Sequence, residues 1–427
     1  MADILIKGGR VIDPKTQLDD ITDILIHGNK IEKIGKGLKK TGAKSLNAKG
    51  LIVCPGFIDL HCHLRDPGRP DVETIESGSQ AAIAGGFTTI CCMPNTIPAI
   101  DNEGLVNYIY KEAARVDLCR IYPIAAITKN RKGKEITEFG ELIKAGAKGF
   151  SDDGDVVSDC NVFRHALEYS KIFNVPIFEH PIDRDLSKNG LINEGVVSTR
   201  LGLNGSPTLA EEVIVARDLL VAQFTGAKLH FCHISTKGSV ELIRRAREQG
   251  ISVTCETCPH YFFFNEDSLS DFDTNFKVNP PLRSEQDRLA VIEGLRDGTI
   301  DCIATDHAPH CQAEKELEFT RAPFGMIGFE TALSMIVMEL INNQKFSWSA
   351  VLEKLTINPA QIISENLGII KKNGVADMII IDPMKKWRLN VNMIRSKSKN
   401  TPLLDKELTG KTIATIVDGK LKKYDQD

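Results

Sequence analysis

Eight short apolar runs recur between residues 57 and 307, and no other feature limits the fold of this chain so tightly. They are FIDLHCH (57–63), FTTICCM (87–93), IYPIAAI (121–127), AKGFSDD (147–153), VPIFEH (175–180), KLHFCHI (228–234), ISVTCET (251–257) and DCIATDH (301–307). Such runs, short and bounded by polar stretches, read as buried strands. Segments such as SGSQAAIAG, ELIKAG, VFRHALEYSKIF, LAEEVIVARDLLVAQF and GSVELIRRAREQ separate most of them, with apolar residues at helical spacings of three and four. Eight parallel strands with crossover helices most simply close into a barrel. An open doubly wound sheet is the alternative, weakened because no GxGxxG follows the first strand. The expected class is α/β, a (β/α)8 TIM-like barrel.

The chain ends read differently. DILIKGG, GRVID, DILIHGN and KIEKIG near the start, and VADMIIIDP and KTIATIVDGKLKKY near the finish, are short strands broken by turns. Neither set can bury a face alone, so the termini are expected to meet in one small antiparallel β-sandwich. The predicted division is 1–55 for the first part of the sandwich, 56–368 for the barrel and 369–427 for the remainder.

A chain of 427 residues, 42% hydrophobic and 26% charged, can build such a barrel with a small companion unit. The net charge of −4 makes no case for nucleic acid or an anionic membrane and points to a small-molecule partner. No signal peptide opens the sequence, and no apolar run approaches the roughly 18 residues that span a bilayer, which predicts a cytoplasmic location. The 11 cysteines, an odd number scattered through apolar segments, read as buried reduced thiols. CETC (255–258) has metal-ligand spacing but lacks a second pair, which argues against a zinc knuckle or a redox motif.

Chemistry gathers at the strand ends. In GFIDLHCHLRDPG (56–68), His61 and His63 are two apart and share a strand face, both pointing into a barrel while Leu60 and Cys62 point outward. Asp153 ends the fourth run, His180 the fifth, His233 the sixth and Asp306 the eighth. The carboxyl ends of barrel strands converge on one face, so these six become neighbours. They exceed what one tetrahedral ion needs, which suggests two metals bridged by a carboxylate. Nitrogen and oxygen donors without thiolate suit Zn²⁺, with Mn²⁺ or Co²⁺ as substitutes. Asp152 competes with Asp153, since strand parity turns only one inward. His27, His165 and His230 read as ordinary hydrogen-bonded histidines.

These residues resemble the amidohydrolase superfamily and, within it, the aspartate-bridged bacterial dihydroorotases. The likeness rests on PGFIDLHCHLRDPG (55–68), TTICCMPNT (88–96), FSDDG (150–154), FEH (178–180), HFCHIS (230–235), KVNPPLR (277–283) and ATDHAPH (304–310), and it covers essentially the whole chain. It implies two Zn²⁺ per subunit: His61, His63 and Asp306 on one, His180 and His233 on the other, and Asp153, rather than Asp152, between them. It further implies that Arg65, Asn95 and His310, with His63 nearby, hold a substrate carboxylate, that Asn279 contacts a ring amide, and that Phe324 and Gly325 close over the ring. Asp306 is then the catalytic proton carrier.

The reaction implied is reversible cyclisation of N-carbamoyl-L-aspartate to L-dihydroorotate in pyrimidine synthesis. The resemblance also implies a homodimer and admits an aspartate transcarbamoylase partner. The alternative activity is that of an allantoinase or a hydantoinase/dihydropyrimidinase, from which Arg65 and Asn95 separate this chain. A metal-free scaffold subunit would be free to lose ligands, and all six are here. Relatives that bridge their metals with a carboxylated lysine would use Lys148, whose parity opposes Asp153 and turns it towards the helices. The polar segment CQAEKELEFTRAPF (311–324) is expected to be a mobile lid, with a solvated helical turn as the alternative.

Overall fold

The computed structural model describes residues 3–425. Barrel strands form at Phe57–Cys62, Phe87–Cys92, Arg120–Pro123, Ile177–Glu179, Leu229–Phe231, Val253–Thr257 and Cys302–Ile303. Every pairing among them is parallel. The fourth run departs from a regular strand: only Phe150 pairs, in parallel bridges to Ala125 on one side and Ile177 on the other. Ser151 still exchanges backbone bonds with Ala125 and Ile127, and Asp152 and Asp153 after it engage through their side chains instead. A parallel bridge between Cys62 and His307 joins the end of the eighth strand to the first. The connections therefore run around a complete ring, as the count of eight predicts.

Helices follow the strands on the outside, and their starts are set by local caps. Thr74 accepts from the Ser77 amide to open Ile75–Gly85, Asp159 accepts from Asn161 and Val162 to open Cys160–Ile172, and Thr236 accepts from Ser239 to open Lys237–Glu248. Their inner faces bury Ile83, Phe163, Leu167, Val240 and Ile243 in one large core with Phe57, Phe87, Phe150, Ile177, Leu229 and Phe231 from the barrel. Leu60 departs from the expected outward face: it clusters with Cys91, Phe178, Cys232 and Cys302 of other barrel strands and with Ala360 and Ile363, while Cys62, beyond a register shift after Asp59, joins the core shared with the helices. Among the described residues no helix is long and apolar enough to cross a membrane.

The two chain ends share one eight-stranded sheet. Its order is Lys420–Tyr424, Glu407–Val417, Met378–Arg388, Ile52–Pro55, Ile4–Asp13, Leu18–His27 and Lys30–Gly35, with Lys44–Asn47 also on Ile4–Asp13. Met378–Ile381 against Ile52–Pro55 is the seam where the ends join. Ile4, Ile6, Ile24 and Ile26 from one end share an apolar core with Met378, Ile380, Ala414 and Ile416 from the other. One detail corrects the expected all-antiparallel pattern: Lys44–Asn47 and Ile52–Val53 run parallel to Ile4–Asp13. The chain climbs the same edge in two short pieces interrupted by the turn at 48–51, so both lie in the direction of the first strand. Gly56 then leads straight into the first barrel strand, where a Cβ would sit 2.2 Å from Thr88.

Candidate metal centre and substrate cavity

At the carboxyl ends of the barrel strands lies a cavity of about 330 Å³ lined by His63, Arg65, Asn95, Asp153, Gly154, His180, His233, Asn279, Asp306, Ala308, His310, Pro323, Phe324 and Gly325. Of the site residues expected from sequence, only His61 is not on its wall; it is fully buried and in contact with Asp153 and Asp306.

The two histidines of the first strand are held alike. His61 Nδ1 is 3.0 Å from Glu256 Oε1, and His63 Nδ1 is 2.8 Å from Asn95 Oδ1. A hydrogen bond from each Nδ1–H leaves the Nε2 lone pair for the centre. There His61 Nε2 lies 3.2 Å from Asp153 Oδ1 and 3.7 Å from Asp306 Oδ1, while His63 Nε2 lies 3.0 Å from Asp306 Oδ1 and 3.6 Å from Asp153 Oδ2. From the other side, His180 Nδ1 is 3.7 Å and His233 Nε2 is 3.9 Å from Asp153 Oδ1, and these two nitrogens are 2.9 Å apart. Asp153 is thus the carboxylate that touches every histidine of the cluster. Asn95 Nδ2 donates to its second oxygen at 3.2 Å, and Asn279 Nδ2 lies 3.2 Å from His180 Nε2.

Three buried atoms here, His61 Nε2, Asp153 Oδ1 and His233 Nδ1, have no hydrogen-bond partner. Burying lone pairs without partners costs about 1–3 kcal/mol each, and cations among these nitrogen and oxygen donors would satisfy the atoms that face the centre. Two overlapping triads, His61–His63–Asp306 and His61–Asp153–His233, have the close spacing a metal ion needs. The residues fit a metal centre. Charge agrees: burial opposes the ionised forms of Asp153 and Asp306, yet His61 with His180 and His233 outweighs it at Asp153, and His63 with His61 outweighs it at Asp306, so both carboxyls are held below their usual range. Burial lowers His63 and His180, favouring the neutral form that ligates. Burial also works against a proton on His61, but Asp153 reverses that and raises it, so this position calls for positive charge.

The backbone is strained where the chemistry concentrates. Arg65, His233 and Asp306 have φ of 55°, 36° and 44°, the left-handed region that side chains other than glycine enter at a cost.

Arg65 is directed to the cavity by bonds from Nε to the Pro309 carbonyl at 3.3 Å and between Nη2 and His310 Nε2 at 3.4 Å. Burial lowers it only to about 10, so it stays cationic. Burial, then Arg65, pushes His310 down to about 3, so that ring is neutral. The guanidinium's bonds run to a carbonyl and an imidazole, which leaves its charge for an incoming anion.

Two buried lysines set the roof. Lys277 Nζ donates to the carbonyls of Phe319 at 2.7 Å and Ala322 at 2.6 Å, and Lys315 Nζ donates to those of Pro323 and Gly325 at 3.0 Å each. Gly325, at φ 131°, could not carry a Cβ, which would fall 2.7 Å from that of Ala308. Burial lowers Lys277 to about 8; burial, with Lys277 nearby, lowers Lys315 to about 7. The 311–324 segment contains one helical turn, Gln312–Lys315, but Lys315 and Phe319 are buried, so the turn is packed against the body rather than solvated.

Asp152 turns away from the centre and accepts from the amide of Thr128 at 3.0 Å and from its hydroxyl. Lys148 pairs with Glu365 at 2.5 Å over the ring of Tyr122, remote from the cavity. His27 and His165 make surface bonds to Asp3 and Glu168. His230 is the hydrogen-bonded core residue expected, but one of its bonds, 3.2 Å from Nε2 to Glu256 Oε2, supports the site.

Three supports were missed by sequence reasoning. Glu256 joins His61 to His230, and those imidazoles hold its carboxyl at about 2 against the effect of burial. Asp59 accepts from the Thr305 amide at 2.8 Å and hydroxyl at 2.6 Å, fastening the residue before Asp306. Glu73 lies 3.3 Å from His307 Nε2 and also accepts from the Lys397 amide at 3.1 Å, fastening the residue after it. The available signal was an acid inside an apolar strand run, as in ISVTCET, since a buried carboxylate demands a partner.

Comparison with known proteins agrees with this geometry. A family model described as dihydro-orotase-like matches residues 50–239. The chain is 50% identical over 421 residues to a dihydroorotase of Aquifex aeolicus, covering 99% of each, and 47% identical over 426 residues to one of Syntrophus aciditrophicus, covering 99% of this chain and 100% of that one. Among solved structures, an L-hydantoinase (dihydropyrimidinase) from Arthrobacter aurescens superposes with a TM-score of 0.88 at 23% identity, covering 100% of this chain and 97% of that one. A D-hydantoinase from Thermus sp. gives 0.81 at 22%, covering 99% and 95%. At such identities the structural likeness speaks for the barrel fold alone.

Proposed function

The chain belongs to the dihydroorotase family, and on that premise we propose that it interconverts N-carbamoyl-L-aspartate and L-dihydroorotate, a step of de novo pyrimidine synthesis, using two Zn²⁺ per subunit. The observation that carries the proposal is one cavity lined by five nitrogen and oxygen donor residues, with buried His61 behind them and a guanidinium on its wall that bonds no carboxylate.

His61, His63 and Asp306 would hold one cation and His180 and His233 the other, with Asp153 between them; the atoms left unpartnered at His61 and Asp153 support cations at this place. When bound, the metals supply Lewis acidity, which brings the pKa of water from 15.7 to about 7 and polarises a carbonyl oxygen.

The protein's own groups do the rest. Arg65 takes the nonreacting carboxylate of the substrate; its planar fork matches two oxygens as a lysine cannot. Neutral His310 and Asn95 complete that grip, and Asn279 meets the ring amide. In ring opening, Asp306 accepts the proton of the attacking water and delivers it to the departing ring nitrogen; in closure the proton travels the reverse way. His63, 3.0 Å away, keeps Asp306 ionised and ready to accept. Phe324 and Gly325, pinned through Lys277 and Lys315, cover the ring and exclude bulk water, and the 311–324 segment would open to admit substrate.

The test is a substrate comparison. Purified protein should open dihydroorotate and leave hydantoin, dihydrouracil and allantoin nearly untouched, since those rings offer Arg65 no carboxylate. Efficient turnover of hydantoin without turnover of dihydroorotate would overturn the assignment.

A further inference from the structure

The terminal-sheet strands Met378–Arg388 and Glu407–Val417 are neighbours, and Arg388 already pairs with Glu407. As few as about two residues can close such a hairpin. The chain instead uses eighteen, 389–406, with a single 3₁₀ turn at Val391–Met393, on a strap that reaches the catalytic face of the barrel. Connections this long inside a compact fold usually carry function. The middle of the strap is no surface loop, for Ser396, Ser398, Asn400 and Thr401 are all buried. The Ser396 hydroxyl and the Lys397 amide bond Glu73, the partner of His307, and Ser398 Oγ donates to the Val72 carbonyl at 2.7 Å.

Asn400 sits where two walls of the substrate cavity meet. Its Nδ2 donates to the carbonyls of Ala308 at 3.0 Å and Gly325 at 3.1 Å, and its Oδ1 accepts from the His310 amide at 3.0 Å. One side chain, 4% exposed, thereby ties the loop that carries His310 to the roof at Gly325. An amide suits the place because it offers two donor hydrogens and an acceptor from a single short stem, which neither a carboxylate nor an alkyl group can do. The same two walls touch directly through the Ala308 amide and the Met326 carbonyl at 2.9 Å, and the Gly325 carbonyl also takes Lys315 Nζ. The strap itself is held by a separate bond, from the Ile327 amide to the Asn400 carbonyl at 2.9 Å, so the side chain can be changed with the strap still docked.

We infer that Asn400 is a positioning residue for substrate binding: it fixes His310, which grips the carboxylate, relative to Gly325, which covers the ring. The inference rests on the proposed dihydroorotase reaction for the identity of that substrate. A grip made before the chemistry and kept through it acts on the Michaelis constant rather than on turnover. Asn400→Ala in the zinc-loaded full-length protein should therefore raise the Michaelis constant for dihydroorotate at least ~10-fold, since misplacing a binding group by 1 Å can cost about 100-fold. The turnover number should fall less than about threefold, with zinc content at the wild-type level. Asn400→Asp, close to the native side chain in shape, keeps the acceptor for His310 but sets a charge against two carbonyls. Amide hydrogen exchange should quicken across 322–328 in Asn400→Asp with the His310 amide still protected, and at both places in Asn400→Ala. The aspartate variant decides the matter if the alanine variant misfolds. An unchanged Michaelis constant, a loss confined to turnover or to zinc, or wild-type exchange at both places in both variants overturns the inference. A wild-type protein inert toward dihydroorotate would overturn the reaction assignment instead, and the exchange measurement, which needs no turnover, would then decide whether Asn400 holds the two walls together.

Discussion

Replacing Glu256 by leucine removes the central member of a buried chain that runs from Thr254 through His230 and Glu256 to His61. His230 Nδ1 is 2.8 Å from Thr254 Oγ1, and Glu256 faces His230 Nε2 at 3.2 Å and His61 Nδ1 at 3.0 Å, with both rings and the carboxylate fully buried. Hydrogen bonds to a charged group contribute about 1.5–3 kcal/mol each, and a buried donor left alone costs about 1–3 kcal/mol. Two donors lose their acceptor, so the metal-free protein should lose about 2–6 kcal/mol of stability. The share that falls on metal binding is the orientation of one ligand, which costs about 10–100-fold in affinity, or roughly 1.4–2.7 kcal/mol. Glu256→Gln separates geometry from charge. Its amide oxygen can still accept from His61, while His230 can shift its proton to Nδ1 and donate to Thr254, so the loss should sit near tenfold. Zinc competition against a chromophoric chelator, with urea unfolding of the metal-free forms alongside, measures both quantities. Wild-type zinc affinity in Glu256→Leu would refute the claim that this carboxylate orients a ligand.

Arg65→Lys should raise the Michaelis constant with zinc content retained, because a lysine cannot make the two-point grip; an unchanged constant counts against the clamp. Asp306→Asn should lower the turnover number at least ~100-fold, and near-normal turnover in a metal-replete sample would exclude Asp306 as the proton carrier. Lys315 links the roof to pH. Burial holds its folded value at about 7 against 10.5 in the unfolded chain, so between those values the unfolded chain carries a proton that the folded one lacks, and stability rises with pH across that window. Urea unfolding from pH 7 to 10 should therefore show wild type gaining stability relative to Lys315→Met, and a flat difference would contradict the burial argument.

Much of the fold was legible because period two and period 3.6 are local properties. HxH at 61 and 63 declares an inward face without reference to any other strand, and the bridges around the barrel follow the eight runs in order. The choice between Asp152 and Asp153 was not local. Parity allows one inward carboxylate but does not say which, and Thr128, which captures Asp152, lies on a different connection. Glu256 escaped for a similar reason: CETC drew attention to its cysteines, while the acid between them finds its partners on two other strands. The irregular fourth strand was equally hidden, since AKGFSDD has a strand's composition and only its two side-chain-bonding aspartates prevent the ladder from continuing. Nothing in the polar run AEKELE signals that Lys315 turns inward, because its acceptors are backbone carbonyls at 323 and 325.

The central claim is that side chains from separate barrel strands cage two divalent cations on which ring opening depends. Metal analysis of the purified protein, coupled to dihydroorotate turnover before chelation, after it and on adding zinc back, tests this most directly. Two zinc equivalents per chain, with activity lost on stripping and restored in step with the second equivalent, is the result expected. A stripped protein that opens dihydroorotate at the original rate would contradict it.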